Sequence, residues 1–288
     1  MSARPFPSLL PAIWLLCLCC GLSSCAGLIT GTVIKPAIGN LQQQQDIDLV
    51  CEGAPAYLLM LDSMLVSSPE NTDLLLTATQ SFSAYATALE ECGGTDQRID
   101  AMANKAQHYG KKLLRTLLPI DSKGKGPELD QGLAKLSAGD VPETFWGASG
   151  WLTWILRQKG SPEAIADSVL IEKIMARLLE LDESFQGGSI HLFFGAYHTA
   201  KPEMFGGKPE LSANHFDKAL AISKRRFLLT HTTYAATLAR MTMDQELHDR
   251  LLQEVLAFPL DSAPEFGLSN RIAVNRAKRL LKENYFQE

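Results

Sequence analysis

Strand signals are missing from this sequence. No stretch alternates apolar and polar residues for long, and no Asn-Gly or Asp-Gly pair is present, so a sheet built from hairpins is excluded as the basis of the fold. A surplus of basic charge is missing too. The chain has 27 Lys+Arg against 32 Asp+Glu, a formal charge of -5, and a nucleic-acid binder needs a basic face to displace counterions. Absent as well are a His-Glu-x-x-His helix and a glycine-rich phosphate loop ending in Lys, and the Cys-x-x-Cys spacing occurs only at Cys17 and Cys20 inside the N-terminal apolar run, so the common signatures of metal and nucleotide sites are missing from the rest of the chain. The apolar stretch near the N-terminus is too short to span a bilayer and stay there. What is present is 46% apolar residues in 288, enough for a sizeable core in one large domain or two small ones.

Four of the six cysteines fall within the first 25 residues. Arg4 precedes the apolar run from Leu9 to Cys20, which reads as the core of a signal peptide. Leu22-Ser23-Ser24-Cys25 follows. It resembles a bacterial lipobox, in which small residues admit the backbone to the peptidase and the cysteine receives diacylglycerol. An ordinary cleaved signal with chance cysteines is the alternative. Residue 26 is Ala rather than Asp, so an outer-membrane address facing the periplasm is expected. The expected layout is therefore 1–24 signal peptide, 25–45 lipidated N-terminus and tether, and 46–288 body. Cys51 and Cys92 remain for an oxidising compartment.

From Asp46 onward helical spacing prevails. Leu58, Leu59, Leu61, Met64 and Leu65 share one face; Leu75, Leu76, Thr79, Phe82, Tyr85, Ala86 and Leu89 share another. Ser68-Pro69-Glu70 separates them, with Pro placed to open the second helix. Antiparallel packing would bring Cys51 and Cys92 to the same end, where either a disulfide or two buried thiols satisfies the pattern. Further helices are expected over 96–118, 129–136, from Asp140-Pro142-Glu143, from Ser161-Pro162-Glu163 with Ile165, Val169, Ile174, Leu178 and Leu179 inward, over 189–199, from Leu211, and over about 227–241, 244–257 and 266–284. Gly195-Ala196 and Phe216-x-x-Ala219 match the small and aromatic positions of a tetratricopeptide hairpin, although the loop between them is longer than in the standard unit. The expected fold is all-α, with helical hairpins stacked as degenerate repeats.

Candidate chemistry is sparse. His191 and His198 lie seven apart, too far for direct chelation from one helix. His215, His231 and His248 have no ligand context, so no metal is expected. Ser149 lacks the Gly-x-Ser-x-Gly pattern and a preceding strand. Trp146, Trp151 and Trp154, with Phe193, Phe194 and Tyr197, are candidates for a ligand groove; packed helix core is the alternative for each. Phe193 and Phe194 point about 100° apart, so both cannot face the same way. Lys224-Arg225-Arg226 reads as a solvated helix end.

Several segments taken in order resemble the T component of tripartite ATP-independent periplasmic (TRAP) transporters, the TatT family. They are Phe145-Trp146-Gly147-Ala148-Ser149-Gly150-Trp151; Gly195-Ala196-Tyr197 with Pro202 and Gly206-Gly207; Ala213-x-x-Phe216-x-x-Ala219; Tyr234-Ala235 followed by Asp244-Gln245; and Leu268-x-Asn270-x-x-Ala273-x-x-Arg276-Ala277-x-x-Leu280-Leu281. They span roughly 50–284, and the stretch around 121–140 matches little. The resemblance implies cryptic tetratricopeptide repeats, a lipid-anchored homotrimer, association with a periplasmic solute-binding protein, and a small hydrophobic or organic-acid ligand in a pore or cleft. Trp146, Trp151, Phe193, Phe194, Tyr197, Pro202, Phe205, Gly206 and Gly207 are the cleft candidates. No catalysis and no cofactor are implied. A repeat scaffold for assembling an envelope complex is the competing reading; an envelope enzyme is the third.

Overall fold

The computed structural model describes residues 35–120, 128–200, 207–283 and 285–286. The chain divides into two units, Met1–Asn40 and Leu41–Glu288. Cys25, the signal segment, Pro202, Phe205 and Gly206 lie outside the described residues.

Among the described residues the regular structure is helical, as the missing alternation predicts. The α-helices are α1 (Lys35–Gln43), α2 (Ile47–Ser67), α3 (Thr72–Glu91), α4 (Asp96–Arg115), α5 (Leu129–Lys135), α6 (Val141–Arg157), α7 (Pro162–Leu181), α8 (Phe185–His198), α9 (Pro209–Ile222), α10 (Leu228–Tyr234), α11 (Gln245–Ala257) and α12 (Gly267–Leu280). Side chains start many of them. Asp46, Asn71, Thr95, Ser161 and Asp244 each accept a hydrogen bond from a free amide of the first turn. Asn71 also corrects one expectation: α3 begins at Thr72, so Pro69 lies in the turn before the helix.

The pairs α2–α3, α3–α4, α6–α7 and α8–α9 pack as hairpins, and α6 also packs on both α3 and α4. The α4–α6 crossing is backbone against backbone. A Cβ at Gly150 would fall 2.7 Å from the Ala106 carbonyl oxygen and 2.5 Å from Thr79 Cγ2, separations no real side chain tolerates. In the α8–α9 hairpin a Cβ at Gly195 would meet the Phe216 ring at 2.8 Å. The small and aromatic positions read from the sequence therefore do the packing job expected of them.

Buried residues of α2, α3 and α4, among them Leu61, Leu74, Leu75, Phe82 and Leu113, form part of the core, and two further clusters stand out. One gathers Trp151, Ile171, Ile174, Met175, Leu178 and Ile190. The other gathers Phe216, Leu228, Leu252, Val255, Ala273 and Ala277. Two details depart from the helical-wheel reading. Ile165 and Val169 are about half exposed, because α7 turns Ala164, Asp167, Ile171, Ile174 and Leu178 inward instead. Leu59 is 68% exposed while Leu58, Leu61 and Leu65 are buried. Cys51 and Cys92 are joined, with Cα atoms 5.8 Å apart, closing the open end of the α2–α3 hairpin.

Candidate functional site

Faces of α3, α6, α8 and α12 converge on a cleft of about 360 Å³. The spacing along each helix explains why. On α6, Trp146, Ser149, Thr153 and Leu156 recur at three and four residues; on α3, Gln80, Ser83, Ala84 and Thr87 do the same. Each set is one stripe of its helix. Gln186, Ser189 and Phe193 supply the stripe of α8, while Leu268, Ser269 and Ile272 supply that of α12. Phe227, Leu229 and Phe266 close the far side. The wall is mainly apolar with scattered neutral polar groups, the usual makeup of a small-molecule site.

Two features hold the wall in place. Residues Gln186, Gly187 and Gly188 all have left-handed backbone, with φ of 49°, 65° and 83°. This kink lets α8 begin in one direction and run on in another, carrying Gln186 into the cleft. A non-glycine residue in that region is strained and persists only where its surroundings fix it. Across the cleft, buried Asn270 accepts from the Leu228 amide at 2.9 Å and donates to the Arg226 carbonyl at 2.9 Å. One side chain thus fixes the start of α10 against α12.

Of the aromatic candidates, Trp146 and Phe193 stand on the cleft wall. Trp151 and Trp146 are five residues apart, about 140° around the helix, so they cannot share that wall. Trp151 is fully buried, and its indole Nε1 donates to Asp167 Oδ2 at 2.9 Å. Phe194 is buried and stacks on His215 and His198. Tyr197 donates to Glu172 Oε2 at 2.7 Å, and burial, helped by that carboxylate, pushes its phenol up to about 12. Gly207 is half-buried and not on the wall. Ser149 lines the cleft.

The family model described as TRAP transporter T-component matches residues 43–286. The chain belongs to the TRAP transporter T-component family. It is also similar to an uncharacterized protein of Treponema pallidum (strain Nichols), 23% identical over 259 residues, covering 83% of this chain and 79% of that protein. Membership makes it an accessory component associated with a TRAP transporter in the bacterial envelope.

Beyond the cleft, the T-component carries two polar clusters that linear spacing hid. His191 and His198 share a helix, but the pairing is across the hairpin: His191 Nδ1 lies 2.8 Å from His215 Nδ1, and its Nε2 lies 3.2 Å from Glu183 Oε2. Burial, with His191 and His198 alongside, pushes His215 down to about 4. No group of three metal-ligating side chains forms among the described residues. In the second cluster Lys111 Nζ sits 4.0 Å from the Trp151 ring centre and 3.9 Å from Asp167 Oδ2. Burial lowers the Lys111 ammonium and the carboxylate opposes that fall. Two residues of the basic run are ion-paired. Arg225 holds Glu254, and Arg226 holds Glu265 at 2.8 Å on the rim of the cleft.

Proposed function

We propose that this T-component is a lipid-anchored, non-enzymatic partner of a TRAP transporter's periplasmic solute-binding protein, and that the cleft between α3, α6, α8 and α12 receives a small ligand. The cleft carries this reading. It is preformed, lined by helices and mainly apolar, and among the described residues its wall brings together no nucleophile–base pair of the kind catalysis needs. Ser149 stands in the wall as a neutral hydroxyl, and its carbonyl accepts from the Thr153 hydroxyl.

The anchor is assigned to Cys25. A diacylglycerol there supplies two acyl chains, which is what durable membrane attachment requires. Residues 1–24 are then the signal, 25–45 the lipidated end and tether, and the remainder the body, held at the outer membrane and facing the periplasm. Leu59, Val66, Ile165 and Val169 leave apolar area on the surface. Such area fits contact with further copies in a homotrimer or with the solute-binding protein.

The test is affinity purification of the tagged protein from native envelopes, with mass spectrometry of what accompanies it. A solute-binding protein recovered in stoichiometric amount is the expected result. Recovery of outer-membrane assembly or cell-wall proteins in its place would overturn the reading and favour an assembly scaffold. In parallel, Cys25→Ser should release the protein from the membrane; continued attachment would refute the anchor.

A further inference from the structure

We infer that the cleft selects an uncharged amphiphile, an apolar molecule carrying one neutral hydrogen-bonding group, and rejects organic acids. The inference rests on the cleft being a ligand site and specifies what enters it.

Charge comes first. Among the described residues no Lys, Arg or His lines the cleft, and the one charged residue on its wall is Glu265. That carboxylate is already held by Arg226 at 2.8 Å. A carboxylate ligand would leave water with no cation on the wall to meet it, since Arg226 at the rim is engaged by Glu265 and by the Ser262 carbonyl at 2.8 Å, an uncompensated burial that disfavours binding. A cationic ligand is not favoured either, because Glu265 has its partner. A neutral molecule loses nothing of the kind.

The hydroxyls of α3 supply the second observation. Thr77, Thr79, Ser81 and Thr87 each donate to the carbonyl four residues earlier, at 2.8, 2.7, 2.7 and 3.1 Å. Ser83 stands on the cleft wall, is 8% exposed, and its Oγ has no partner. A buried hydroxyl left unsatisfied is rare, because its lost hydration is not replaced. Rotation about its Cα–Cβ bond between staggered positions is the movement that aims it into the cleft. There it meets one hydroxyl or carbonyl of the ligand while Trp146, Phe193 and Ile272 cover the apolar remainder.

The test is a titration of the protein with 1-decanol, decane, decanoate at pH 8 and decyltrimethylammonium, each below its aggregation threshold. Fluorescence of Trp146 is isolated by subtracting the Trp146→Phe variant. Decanol is expected to bind at least about tenfold more tightly than decanoate or the ammonium. Ser83→Ala should weaken decanol by about threefold to tenfold and leave decane unchanged. Gln80→Arg, which places a cation in the wall, should raise decanoate affinity; it keeps the charge argument testable if Ser83→Ala fails to fold. Decanoate binding as tightly as decanol, or equal decanol affinity in Ser83→Ala and wild type, would overturn this inference while leaving the cleft a ligand site. If none of the probes alters Trp146, the ligand site itself is refuted and this inference falls with it.

Discussion

Breaking the Cys51–Cys92 bond should cost this protein about 4 kcal/mol. The two cysteines are 41 residues apart in sequence. In the chain-entropy description, a closed loop of that size removes about 13 cal/mol/K from the unfolded chain, or about 4 kcal/mol at 25 °C. The structure says where the loss appears. α2 rests its buried face, Val50, Ala54, Leu58, Leu61 and Leu65, chiefly on α3. Its other ties are polar: Asp62 accepts from Lys105 and Tyr109 of α4, and the Cys51 carbonyl accepts from Tyr85. Without the disulfide, α2 should come away before the rest of the body unfolds. The Cys51→Ala/Cys92→Ala double variant should lose roughly 8–16 °C in Tm, at about 2–4 °C per kcal/mol for a domain this large. Limited proteolysis should cut first between Ile47 and Ser67. Guanidinium unfolding followed by circular dichroism measures the energy, with reductant on the wild type as a second route. A double variant within about 1 kcal/mol of wild type, or cleavage that begins elsewhere, would refute the reasoning.

Other outcomes follow from the same geometry. Gly195→Ala should destabilise by about 1–3 kcal/mol despite the better helix propensity of Ala, because the new Cβ would lie 2.8 Å from the Phe216 ring; Gly53→Ala, with open space around it, should not destabilise. Asp167→Leu should cost about 3 kcal/mol or more in urea unfolding, since it strands the Lys111 ammonium and the Trp151 N–H, whereas Asp167→Asn should cost less. His215 and His231 are both held at about 4, chiefly by burial. The unfolded chain therefore binds more protons than the folded one between pH 6.5 and 4, and Tm should fall as pH falls through that window. His231→Leu should flatten the fall. Asn270→Ala should cost about 2 kcal/mol, because it leaves the Leu228 amide without its acceptor.

Much of the fold was legible because helical cores leave periodic apolar residues and helix starts leave caps. Where the wheel failed, the reason is local. Ile165 and Val169 are as apolar as Ile171 and Ile174, but α7 faces inward through Asp167, whose bond to Trp151 no apolar count weighs. The cleft was legible only in its aromatics, Trp146 and Phe193. Its other walls are Gln80, Ser83, Ser149 and Ser269, residue types that in one dimension look like solvated helix surface. They become a site only when four helices bring their stripes together. The His191–His215 pair was hidden for a related reason: spacing along one helix says nothing about a partner contributed by the next.

What occupies the cleft in the living envelope decides whether it is a site for an uncharged ligand. Native mass spectrometry of the protein isolated from its own membranes, beside an Ala84→Trp variant whose indole fills the cleft, measures that directly. An adduct of a small uncharged molecule is expected on the wild type and absent from the variant, with both proteins equally folded. Identical spectra from the two, or an adduct that is an organic acid, would contradict that reading.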